Sequence, residues 1–141
     1  MELGVLTGCI LIIIATIVVQ NISNSLMWHT AKYLSSNYHQ YNPSILLSVI
    51  IVIALLTLLV DIFIWALFLI FIGLFTNLTE SLIFSFDNFT TLGALEPFES
   101  PWTYIGPLIA LNGIVIVACA VSSAFYVAGS IKHPTESVSH I

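Results

Sequence analysis

The chain has 141 residues, of which 59% are apolar and only 6% charged, with two basic and seven acidic side chains. So few charges cannot cover the surface of a soluble domain, where about a quarter of residues are charged, so the chain reads as an integral membrane protein. Two lysines and no arginine exclude a nucleic-acid binder, because a phosphate backbone needs many cations. Cys9 and Cys119 sit in apolar runs, where a free thiol is expected to behave as a small hydrophobe and not as part of a disulfide framework.

The first apolar stretch runs from Leu3 to Val19, just long enough to cross a hydrocarbon core that takes about 20 helical residues. Glu2 is the only charge before it and no small-x-small cleavage site follows, so it is expected to be a mature helix and not a signal peptide. Residues 20–44 are polar, with Asn21, Ser23, Asn24, His29 and Lys32. Leu26, Met27, Thr30 and Leu34 keep a rough helical stripe, which leaves open a helix on the membrane surface or a solvated linker. Residues 1–43 are thus expected to be a peripheral transmembrane helix followed by a polar cytoplasmic linker.

The second stretch, Ile45 to Phe75, is long enough to tilt or to project beyond the bilayer. Asp61 lies inside it, and an intramembrane acid faces protein or water. Its alternatives are ion handling or an interhelical hydrogen bond to a serine, a threonine or Asn112. The segment from Leu78 to Phe89 is too short to span and is expected to be a re-entrant or interfacial helix. Asn77 followed by Glu80 gives it a capping-box start. It runs into Thr90-Thr91-Leu92-Gly93, after which Pro97 and Pro101 keep the chain irregular.

The third stretch, Tyr104 to Gly129, is rich in small residues, and Ala120, Ala124 and Ala128 form a small-xxx-small row. Gly113 reads either as a bend or as a packing notch, and Asn112 and Ser122 either face a watery cavity or pack. With three crossings, Lys32 and Lys132 share one side, which the positive-inside rule makes cytoplasmic. Five of the seven acids, Glu2, Glu80, Asp87, Glu96 and Glu99, then lie toward the outside. The expected topology is N-terminus outside, with residues 131–141 as a short cytoplasmic tail.

Non-helical backbone at membrane depth persists only inside protein or along a water-filled cavity. A short helix ending in Thr-Thr-x-Gly is therefore suited to offering hydroxyl and carbonyl oxygens to a cation. Residues 61–129 resemble small bacterial members of the pore-loop potassium channel superfamily. The resemblance rests on Trp65-Ala66, Gly73, Phe84-Ser85, Thr90-Thr91-Leu92-Gly93, Trp102, Gly106-Pro107, Ala110 and Gly113. It implies a homotetramer in a bacterial inner membrane, conducting monovalent cations without a cofactor. In it, residues 44–130 would be a pore domain of outer helix, pore helix, filter loop and inner helix.

The ion pathway would comprise Thr90, Thr91, Leu92, Gly93, Ala94 and Glu96. Where the family has Thr-Val/Leu-Gly-Tyr-Gly-Asp, this chain has Thr91-Leu92-Gly93-Ala94-Leu95-Glu96. Ala94 lacks the bracing tyrosine ring and Leu95 replaces a glycine, so weak potassium selectivity is expected. Some members carry acids at the positions of Asp87 and Glu96 and share a proton behind the filter. Asp87 would then support the filter; otherwise both acids are wet surface groups. A non-conducting relative that anchors a larger membrane complex is the alternative function. The four histidines form no ligand set and no catalytic motif occurs, so neither an enzyme nor a resident metal is expected.

Overall fold

The computed structural model describes residues 2–37, 43–93 and 102–132. These form four helices: α1 (Glu2–Asn37), α2 (Pro43–Phe71), α3 (Leu78–Phe89) and α4 (Ile105–Lys132). Among the described residues there is no strand. Three of the helices, α1, α2 and α4, are long and apolar enough to cross a membrane. Isoleucine- and valine-rich runs are modest helix formers in water, but hydrocarbon leaves the backbone no partner except itself.

The helix ends follow local chemistry. Proline opens α2, where its missing N–H costs no intrahelical bond. Gly73, at φ 77°, closes it. The Gly73 N–H donates to the Ile70 carbonyl (2.9 Å) and the Leu74 N–H to the Leu69 carbonyl (3.0 Å), the paired bonds of a Schellman cap. The side chain of Asn77 accepts from the Thr79 N–H (3.0 Å) and starts α3 at the expected residue.

The first helix departs from expectation. It does not give way to a linker after Val19 but continues unbroken to Asn37, a length of about 54 Å. Part of its polar segment forms a buried face of the helix. Thr16, Gln20, Ser23, Met27 and Ala31, spaced three and four apart, are all buried, while Asn21 points outward and donates to the Ile17 carbonyl (3.1 Å). That buried stripe lies against α2 and α4, both of which α1 contacts.

Two interhelical bonds fix the register. Thr57 of α2 donates to the Ser23 hydroxyl (2.7 Å), and Asn112 of α4 donates to Thr16 (3.2 Å). Near the start of α1, Phe68 lies beside Gly8, and near its end Trp28 stacks on Tyr126 at 6.3 Å. Helix α1 therefore runs parallel to α4 and antiparallel to α2.

Two apolar clusters result. One joins all four helices through Cys9, Trp65, Phe68, Phe84, Phe89 and Ile109. The other joins α1, α2 and α4 through Met27, Ala31, Leu46, Ile50, Ala124 and Val127. Between them the register sets a polar layer of Thr16, Gln20, Ser23, Thr57, Asp61 and Asn112, every one buried.

Candidate functional site

Helix α3 spans 12 residues, about 18 Å, too short to cross a bilayer. It packs against α2 and α4 and does not contact α1. Ser81 anchors its first half by donating to the Ala66 carbonyl of α2 (2.7 Å). Asn88 donates to the Phe84 carbonyl (2.8 Å), and its side chain lies over Gly106. The last residue, Phe89, rests its backbone on Gly113, about two turns along α4. Gly113 is thus a notch that admits another helix, and α4 runs through it without interruption.

Beyond Phe89 the chain presents oxygens. Thr90 caps the helix, and its hydroxyl donates to the Phe86 carbonyl (2.8 Å), which leaves the oxygen lone pairs directed outward. Thr91 lies at φ 64° and Gly93 at φ 79°. The Thr91 N–H donates to the Asn88 carbonyl (3.0 Å) and the Gly93 N–H to the Asp87 carbonyl (3.2 Å). Two helices of this chain therefore end through a left-handed residue, but α2 uses glycine where α3 uses threonine. A β-branched residue is an outlier in that region, at a cost of about 1–2 kcal/mol. Thr90, Thr91, Leu92 and Gly93 are all exposed.

Replacing Thr91 with glycine is expected to stabilise the fold by about 1 kcal/mol, through release of left-handed strain. Thermal unfolding in detergent checks this. An unchanged or lower midpoint would mean that the threonine side chain compensates for its own backbone.

The other sequence candidates are dispersed. Ala94 and Glu96 lie outside the described residues, as do Leu95 and Glu99, so the structure does not address the pairing of Asp87 with Glu96. Asp87 is half-buried and borders a groove of about 340 Å³ with Leu59, Phe63, Ile83 and Phe86. Asn112 does not face a cavity, because it is engaged with Thr16; Ser122 is exposed. Nor does Asn112 pair with Asp61, as one sequence alternative had it. Asp61 is fully buried in α2, and neither carboxylate oxygen meets a hydrogen-bond partner. Gln20 Oε1, Trp65 Nε1 and Ser85 Oγ are buried and unpartnered in the same way.

Sequence reasoning gave no role to Gln20, Ser81 or Asn88, and used Trp65 and Ser85 only as part of the resemblance. The signal for Gln20 was present, since Thr16, Gln20, Ser23 and Met27 keep helical spacing across the hydropathy boundary. Among the described residues, no group of three His, Cys, Asp or Glu side chains is placed to hold a metal ion. Compared with family models, curated proteins and solved structures, the chain matches none.

Proposed function

We propose that the chain is the pore-forming subunit of a cation channel in which four copies surround a central ion pathway. The observation that carries this reading is the short helix α3, which ends against Gly113 partway along α4. A helix that stops there, within two helices able to span, enters the bilayer and does not cross it. In this reading α3 is a re-entrant helix, and Thr90–Gly93 turn at its tip. Backbone turning at that depth needs a polar surrounding, and a water-filled axis between subunits supplies one.

Thr90, Thr91, Leu92 and Gly93, with Ala94 and Glu96 following, offer oxygens that replace part of a cation's water shell. The strained Thr91 supports this role, because backbone strain persists where a side chain is needed in place. The exposed Ile114, Ala118 and Ser122 of α4 face the axis, and α1 lies outside. In this reading the protein sits in a bacterial inner membrane, and Lys32 and Lys132 support a cytoplasmic C-terminus by the positive-inside rule. Leu95 in place of the family's glycine, with Glu96 at the mouth, makes the pore cation-preferring and weakly selective for potassium.

Reconstitution into planar bilayers, with potassium on one side and sodium on the other, tests this. A reversal potential near zero for that pair, with chloride excluded, is expected. Strong potassium selectivity would overturn the filter assignment. A silent tetramer would favour the second reading, a channel-like subunit that anchors a larger membrane complex. That reading draws on the Gly93 N–H bonded back to Asp87, which folds the loop onto its own helix.

A further inference from the structure

We propose that Asp61, Gln20, Thr16 and Asn112 form an occluded intramembrane site for one alkali metal cation, at the junction of α1, α2 and α4. The register brings these residues together. From the Ser23–Thr57 bond, Gln20 lies one turn back along α1 and Asp61 one turn on along α2. Because the two helices are antiparallel, both steps lead to the same level, within about 2 Å. Thr16, one turn beyond Gln20, is bonded to Asn112 and closes the junction from α4. Asp61 is 0% exposed, Thr16 0%, Gln20 4% and Asn112 5%.

The chemistry of the unpartnered atoms identifies the ligand. Both oxygens of Asp61 and Oε1 of Gln20 are acceptors without a donor. Gln20 directs its own N–H toward Asn24 (3.0 Å) and not toward Asp61. The nearest unpartnered donor along α2 is Trp65 Nε1, one turn from Asp61, and one N–H serves only one of three acceptors. Among the described residues of α1 the cationic groups are distant: Lys32 lies about 18 Å further along the helix than Gln20, and His29 about 14 Å.

A carboxylate at this depth is costly without a compensating charge. A hard monovalent cation accepts all three oxygens at once, together with the Thr16 hydroxyl and the Asn112 carbonyl oxygen. A single carboxylate selects one positive charge, because a divalent ion would leave a net charge in hydrocarbon. The site is separate from the loop at Thr90–Gly93 and does not rest on the channel reading. Its occupant joins the polar face of α1 to α2 and α4.

The test is thermal unfolding in detergent at fixed pH and ionic strength, with sodium or potassium exchanged against N-methylglucamine. The wild type is expected to show a saturable rise in melting temperature with the alkali cation. Asp61→Asn, which keeps the shape and removes the charge, is expected to abolish the rise. Gln20→Met, which removes one oxygen, is expected to raise the half-saturating concentration by about tenfold. Gly4→Ala, where a methyl group meets nothing within 4 Å, is expected to leave the rise intact. A rise that survives Asp61→Asn, or one lost in Gly4→Ala, would show that the rise does not report Asp61 and would overturn the proposal. So would a melting temperature that follows pH alone with no response to either cation, since a proton would then satisfy Asp61. If Asp61→Asn does not fold, the shift in Gln20→Met decides.

Discussion

Alanine at position 113 is expected to lower the stability of the protein by about 3 kcal/mol. A methyl group there would overlap the Phe89 carbonyl oxygen and come within 3.0 Å of its carbon and 3.1 Å of its Cα. All of these are backbone atoms at the end of α3, so no side-chain rotation relieves the overlap. The helix must lift from α4, and the contacts of Phe84 and Phe89 in the four-helix cluster are lost with it. Gly4→Ala is the matched control, since a methyl group there meets nothing within 4 Å. Unfolding by denaturing detergent in mixed micelles compares the two. Equal stability would show that α3 slides on α4 without loss, and the depth of its tip would then carry no structural meaning.

Replacing Asp61 with leucine is expected to work in the other direction and stabilise the protein by about 1–4 kcal/mol in the absence of alkali cations. Leucine has about the same reach, fills the junction with methyl groups and removes two buried acceptors that lack donors. Gln20 keeps its own unsatisfied oxygen in both proteins, so that oxygen does not enter the difference. Saturating sodium or potassium should narrow the gap between leucine and wild type, because the cation stabilises only the carboxylate form. A less stable Asp61→Leu protein under cation-free conditions would show that the carboxylate has partners in the assembled protein that the single chain does not supply.

Much of the helical plan was legible in the sequence because hydropathy and helix-stop chemistry agree. Asn77 starts α3 and Phe89 ends it where residue type alone places them, whereas α2 stops at Phe71 and not at the expected Phe75, because Gly73 caps it. The length of α1 was not legible by the same route. Averaged hydropathy treats Gln20, Asn21, Ser23 and Asn24 as the end of a span, although Gln20 and Ser23 turn inward and Asn21 turns out. Averages cannot separate a polar seam from a polar surface; only spacing can. At the candidate site, the Thr90–Gly93 string was visible, but the strain at Thr91 was not, since φ is imposed by the turn and not by residue preference. The unpartnered state of Asp61 was equally hidden. Asn112 was a plausible partner by sequence, and the register that commits it to Thr16 exists only once α1 and α4 are side by side.

The polar layer also bears on how the protein enters the membrane. Of these helices α1 leaves the ribosome before α2 and α4, carrying Thr16, Gln20 and Ser23 into lipid as a polar break between Cys9 and Met27 on one face. Helix α2 brings Thr57 and Asp61, which suit the same seam from the opposite direction. Each is a poorer lodger in lipid alone than the two are together. The pair is therefore expected to leave the insertion machinery as a closed hairpin, and α4, whose Asn112 completes Thr16, docks onto it last.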